Sequence, residues 1–167
     1  MPSKNYYEGT ATLEDVIMVA VLKHQGQIDR SGKPYILHPL RVMSKVGSIE
    51  AKMVAVAHDV LEDTNTTVQE LLDKGLSQYV IDGILSVTRS QEETRLEAAL
   101  RSAAHPLGCE VKLADLADNM DLTRLDDMTE RDARRYAEYC EAKQILTDAK
   151  ENRWNSFLPD NFLKLGE

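Results

Sequence analysis

Met53-Val54-Ala55-Val56-Ala57-His58-Asp59-Val60-Leu61-Glu62-Asp63 is the stretch that decides the fold. Its first five residues are apolar on every face. That pattern belongs to a helix enclosed by other helices, because a surface helix carries only one apolar stripe. Ionisable groups then follow directly, at the end of the most hydrophobic helix in the chain. Burying them costs several kcal/mol unless they are paired or metal-bound. If the helix continues, Glu62 and Asp63 lie one turn beyond His58 and Asp59. Three carboxylates gathered there repel one another, and a divalent cation is the simplest compensation. A solvated helix end, with Asp59 and Glu62 facing water, is the alternative.

Helical periods extend on both sides of this segment. Leu13, Val16, Ile17, Ala20, Val21 and His24 mark one buried face. Gly26 and the run Asp29-Arg30-Ser31-Gly32-Lys33-Pro34 break that helix into a loop. Pro39 suits the first turn of a second helix that carries Leu40, Val42, Met43 and Val46 and closes at Gly47. Downstream, Thr67 and Glu70 form a capping box before Leu71 and Leu72. Val80, Ile81, Ile84 and Leu85 mark a further amphipathic helix. Residues 91–104 read as an exposed helix, residues 109–122 as a more apolar one, and Thr129 as the cap of a long polar helix reaching about Ala149. No stretch alternates as a strand does. The expectation is a single all-α domain over 1–167, a helical bundle with its core at about 10–150.

Composition agrees. The chain has 167 residues with 43% hydrophobic and 29% charged, within the range of one soluble domain. Its 20 Lys and Arg against 28 Asp and Glu give a net charge of −8. Such a surface repels nucleic acid and anionic membranes, so neither is expected as a partner. No apolar run nears the roughly 20 residues of a membrane span. The two cysteines, Cys109 and Cys140, have no redox or metal spacing, which favours a reducing cytoplasm.

A second acidic cluster lies in Lys112-Leu113-Ala114-Asp115-Leu116-Ala117-Asp118-Asn119-Met120-Asp121. Asp115, Asn119 and Lys112 share one helical face. An Asp in so apolar a helix needs a partner, which is either a cation or simply Lys112 in a local ion pair. Asp118 and Asp121 either serve that face or face water. His38, just before Pro39, can present its ring inward. His24, on an apolar face, is more often a satisfied core histidine than a ligand, and His105 reads as a loop residue.

These pieces form an ordered set. His38 within GKPYILHPLRV (32–42), His58-Asp59 and Glu62-Asp63 within AVAHDVLEDTNTT (55–67), and Asp115 within VKLADLADNM (111–120) resemble the H…HD…D site of HD-domain phosphohydrolases. More narrowly, the strings are similar to the hydrolase domain of the RelA/SpoT family, in its stand-alone small alarmone hydrolase form. The resemblance implies an all-α HD-domain bundle that binds one Mn²⁺ and takes a small-molecule nucleotide substrate. The implied reaction removes the 3′-diphosphate of guanosine tetra- or pentaphosphate. Carried over residue by residue, His38, His58, Asp59 and Asp115 match the metal ligands, and Glu62 and Asp63 match the pair that orients and activates the attacking water. Asn119 and, more weakly, Tyr139 fall at substrate-side positions. Lys112 and Arg30, with Lys33 and Arg41, are candidate phosphate cations.

The chain also departs from the family pattern. Relatives carry a basic residue two positions after the Gln of the first loop, whereas Gln27 is followed by Ile28 and Asp29 and only then by Arg30. If that loop turns one residue later, Arg30 contacts nucleotide and Asp29 points to solvent. Asp118 stands where relatives have a bulkier or neutral residue. An HD phosphohydrolase acting on another nucleotide, such as one with a ribose phosphate, and a non-catalytic nucleotide-binding sensor are the alternatives. A synthetase half does not fit beside one such domain in 167 residues.

Overall fold

The computed structural model describes residues 4–124 and 129–155, and among them the regular structure is helical. The helices are α1 (Lys4–Tyr7), α2 (Leu13–Lys23), α3 (Leu37–Ser44), α4 (Ile49–Ala57), α5 (Val60–Asp63), α6 (Val68–Asp73), α7 (Gln78–Val87), α8 (Arg95–Ala104), α9 (Pro106–Asn119) and α10 (Glu130–Asn155). The loop between α2 and α3 contributes a single antiparallel bridge, Ile28 to Pro34. No described helix is long and apolar enough to cross a membrane.

The helix with no polar face is the axis of the molecule. In α4, Ala51, Val54, Ala55, Val56 and Ala57 are wholly buried, and α2, α3, α7 and α9 pack around it. The α7 contact is close because Gly83 lacks a side chain: a Cβ there would meet Val54 Cγ2 at 2.7 Å. Helix α9 also belongs to a second, smaller core, in which Leu116 and Cys109 meet Ala99 and Ala103 of α8 and Ala142 and Leu146 of α10. One bundle around α4 and one α8–α10 layer thus share α9.

Local chemistry sets the helix starts. Thr12 with Asp15, Thr67 with Glu70 and Thr94 with Glu97 form reciprocal capping boxes. Thr129 and Asp132 exchange the same bonds at the start of α10. Two expectations need correction. On α2 the buried residues are Val16, Val19 and Ala20, while Val21 faces outward, since the helix leans onto α4 one residue away from the expected stripe. The segment 91–104 is not exposed throughout, because Ala98, Ala99, Ser102 and Ala103 are buried under α9 and α10.

Candidate functional site

The chain interrupts its central helix where the ionisable run begins. Helix α4 ends at Ala57, His58 and Asp59 form a turn, and α5 restarts at Val60. A local bond from Asp63 N to Asp59 O at 2.8 Å keeps Asp63 one turn beyond Asp59. His58, 2% exposed, donates from Nδ1 to the Ala55 carbonyl at 2.7 Å. That bond directs Nε2 into the cluster, where it has no aligned hydrogen-bond partner.

Three other side chains face it. His38 enters from the first turn of α3, and the two imidazole centroids lie 5.1 Å apart. Asp115 enters from α9, with Oδ1 at 3.3 Å from His38 Nε2 and 3.8 Å from His58 Nε2. Asp59 Oδ2 is 2.8 Å from His58 Nε2 and 3.7 Å from His38 Nε2, although its approach to His58 lacks hydrogen-bond alignment. His38, His58 and Asp115 each present one ligand atom within 4.8 Å of the others, all buried, so they can hold a metal ion. Two imidazole nitrogens with carboxylate oxygens suit a borderline-to-hard divalent cation. A buried imidazole nitrogen without an aligned hydrogen-bond partner is the observation such an ion explains.

The surrounding charges are mutually dependent. Burial alone would lower the His38 pKa, but hydrogen bonds to Asp115 and Asp118 override it and carry it up to about 9. Burial would raise Asp59, and the His58 imidazole reverses that and holds it below the usual carboxylate range. Asp115 likewise sits well below the usual carboxylate range, burial being outweighed first by Lys112. Lys112 donates to its Oδ2 at 2.9 Å. The local ion pair and the cluster contact therefore coexist, each on its own oxygen.

Next to this cluster opens a cavity of about 490 Å³, lined among others by Tyr35, Glu62, Asp63, Arg89, Lys112 and Tyr139. Glu62 Oε2 accepts from the Arg89 backbone N–H at 3.0 Å. Asp63 is raised from its ordinary value, by burial first and then by the Asp59 and Glu62 carboxylates. Asn119 also lines the cavity, but its amide donates to Asp115 Oδ1 at 2.5 Å and so supports that carboxylate. Arg30 lies at the cavity in an ion pair with Asp132 at the start of α10. Tyr139 carries the Arg95 guanidinium 5.2 Å over its ring.

Several residues stand elsewhere than expected. Asp29 does not point to solvent: its Oδ1 accepts from Ser31 N, Ser31 Oγ and Lys33 N at 2.7–2.9 Å, with Gly32 at φ +74° completing the turn. Arg41 is committed to Asp118 at 2.9 and 3.0 Å and is not among the cavity-lining residues, nor is Lys33. Asp118 is buried against His38 and held below the usual carboxylate range; burial opposes this, and bonds from His38, Arg41 and Lys45 prevail. His24 is a buried loop anchor, its Nδ1 bonded to Gln27 Oε1 at 2.8 Å. His105 caps α9. Cys109 is buried and Cys140 exposed, both unbridged.

Tyr35 was not singled out by its residue type. It donates its hydroxyl to Asp59 Oδ2 at 2.5 Å and lies 3.4 Å from Asp63 Oδ2, and its own ionisation is pushed up by burial and by Asp59. The available signal was its place one helical turn before His38. The cavity cations Arg89, Arg95 and Arg135 carried no signal of their own, since each is one basic residue among many on a polar stretch.

Comparison with known proteins defines the family. No protein-family model matches the chain. The guanosine-3′,5′-bis(diphosphate) 3′-pyrophosphohydrolase MESH1 of Danio rerio is 33% identical over 151 residues, an alignment covering 82% of this chain and 83% of that protein. The chain belongs to the RelA/SpoT-type hydrolase family. A GTP pyrophosphokinase of Myxococcus xanthus is 35% identical over 132 residues, covering 69% of this chain. This chain spans 17% of that long relative, and 13% and 16% of the pyrophosphohydrolases of Haemophilus influenzae and Aquifex aeolicus. The fold matches a solved metazoan orthologue of SpoT, described as hydrolysing ppGpp, with a TM-score of 0.64 at 19% identity over 92% of this chain and 97% of that one. The all-α HD-type bundle is therefore the family fold.

Proposed function

We propose that this chain is a Mn²⁺-dependent hydrolase that removes the 3′-diphosphate from guanosine tetra- and pentaphosphate, leaving GDP or GTP and pyrophosphate. The observation that carries this is His58 Nε2: a buried imidazole nitrogen without an aligned hydrogen-bond partner, directed at two carboxylates and a second imidazole, in a chain whose relatives are named for this hydrolysis. His38, His58, Asp59 and Asp115 would hold the ion. When bound, it supplies charge stabilisation at a phosphoryl oxygen and lowers the pKa of a coordinated water.

The chain's own residues account for the remaining tasks. Asp63, with its raised proton affinity at the cavity wall, accepts the proton of the attacking water, and Glu62 beside it orients that water while anchored to the Arg89 backbone. Tyr35 keeps Asp59 in one orientation through its hydroxyl. Lys112, Arg89, Arg95 and Arg135 offset the charge of a diphosphate that the acidic surface repels. Tyr139 and Asn119 border the nucleotide side, and Arg30 contributes to nucleotide binding from the mouth. The two unbridged cysteines support work in the reducing cytoplasm.

Incubation of the Mn²⁺-loaded protein with guanosine tetraphosphate, followed by ion-exchange chromatography, is expected to yield GDP and pyrophosphate in equal amounts. Release of a single phosphate from a ribose-phosphate nucleotide, with guanosine tetraphosphate untouched, would assign the site to the alternative substrate. Binding of the nucleotide without turnover would assign it to a sensor.

A further inference from the structure

Asp118 adjoins the metal cluster without belonging to it. It follows Asp115 by three positions on α9, so the two carboxylates leave the helix on neighbouring faces. Asp118 is 2% exposed. Its Oδ2 accepts from His38 Nδ1 at 2.8 Å and from an Arg41 terminal nitrogen at 3.0 Å, and its Oδ1 accepts from Arg41 Nε at 2.9 Å and Lys45 Nζ at 3.1 Å. Both oxygens of this carboxylate are thus engaged, by His38 and Arg41 of α3 and by Lys45 at that helix's C-terminal cap.

An imidazole has two nitrogens on opposite edges of the ring. With Nδ1 donating to Asp118, Nε2 is the nitrogen presented to the cluster, 3.3 Å from Asp115 and 3.7 Å from Asp59, and it becomes the lone-pair nitrogen once an ion displaces its proton. We propose that Asp118 is a positioning residue for the metal: it fixes the tautomer and ring orientation of His38 and strengthens Nε2 as a ligand. The inference rests on the pocket being a metal site as proposed above. The two imidazoles are then held by different means, His58 by a neutral backbone carbonyl and His38 by a carboxylate. A carboxylate behind a ligating histidine makes the ring a better donor, and loss of such a partner commonly costs tenfold to a hundredfold in metal affinity. Arg41, bonded to both oxygens of Asp118, completes the device. It offsets the third aspartate near the cluster, so that charge does not repel Asp59 and Asp115 at full strength, and it occupies oxygens with which Asp118 would otherwise compete for the ion.

The test is Mn²⁺ binding to chelator-stripped protein, followed by the electron paramagnetic resonance signal of free Mn²⁺. Wild type, H58A, D118A, D118N and K45A are compared, with the thermal midpoint of each recorded in chelator. D118A is expected to bind Mn²⁺ about 10–100-fold more weakly and D118N, which keeps an acceptor but not the charge, about tenfold more weakly. K45A leaves the bond to His38 in place and is expected to change affinity less than about threefold, whatever its effect on the midpoint. If D118A does not fold, the near-isosteric D118N carries the test. Wild-type affinity in D118N, with binding lost in H58A, would overturn the positioning role and leave the metal site standing. Equal losses in K45A and D118N would reduce Asp118 to a hub joining α3 and α9. Unchanged binding in H58A would remove the metal site itself, and the inference with it.

Discussion

The cavity has two walls of opposite construction. On one side stand His38, His58, Asp59 and Asp115, all short side chains, each attached to a helix or turn packed on α4 and each fixed by a second contact: Asp118, the Ala55 carbonyl, Tyr35 and Lys112. On the other stand Arg30, Arg89, Arg95 and Arg135, long side chains, three of them tied to carboxylates: Arg30 to the buried Asp132, Arg89 to Glu62 and Arg95 to Glu138. The first wall is preorganised in a buried setting where a misplaced group is costly. The second is screened by water and can exchange partners when an anion arrives. Chemistry therefore belongs to the rigid wall and binding to the adaptable one. Substitutions should divide along that line.

The largest effect is expected from His58→Ala. It removes a ligand that no neighbour replaces, so metal is lost and turnover falls about a thousandfold or more, the several kcal/mol of charge stabilisation that an ion supplies. Metal analysis beside a turnover assay checks it, and retained metal would erase the contrast between the walls. Next come Asp63→Asn and Glu62→Gln. Both should keep the metal and lose about 10²–10⁴ in kcat, the scale of general-base catalysis. Loss of metal in proportion to activity would move these residues into the ligand set.

Tyr35→Phe sharpens the comparison within the rigid wall. The ring remains and only the hydroxyl bond to Asp59 is removed, so a drop of roughly tenfold in Mn²⁺ affinity or kcat is expected, the weight of one hydrogen bond to a charged acceptor. No change in either would separate Tyr35 from the site. The smallest effect belongs to the adaptable wall: Arg30→Ala should raise KM less than about fivefold and leave kcat nearly unchanged, because Asp132 already occupies the guanidinium. A fall in kcat with constant KM would place Arg30 at the chemistry.

The same division explains what was legible in the sequence. Met53 to Ala57, apolar all round, could only be a central helix, and the ionisable run that ends it had to find partners indoors, so His58 and Asp59 stood out; Asp115 did so separately, as an acid within the apolar stretch of α9. The bundle followed from the same periodicities, apart from the burial of Ala98, Ala99, Ser102 and Ala103 on α8 and the face of α2, where Val19 replaces Val21 because a spacing pattern does not fix how a helix leans on its neighbour. Asp118 was ambiguous because its helical position allows both His38 and solvent, and only the approach of α3 to α9 decides between them. Arg41 and Arg30 were read as phosphate cations, but each had an acidic partner far along the chain, Asp118 and Asp132. Short side chains on packed helices are placed by local rules; long cations are placed by whichever carboxylate tertiary structure brings within reach.

The most direct test of the metal-centred account is pyrophosphate release from guanosine tetraphosphate during Mn²⁺ add-back to chelator-stripped protein, run beside direct binding of the ion. The account predicts no release without metal and a return of activity that tracks occupancy to one ion per chain. Pyrophosphate release that persists in the stripped protein, or full occupancy with no release, would contradict it.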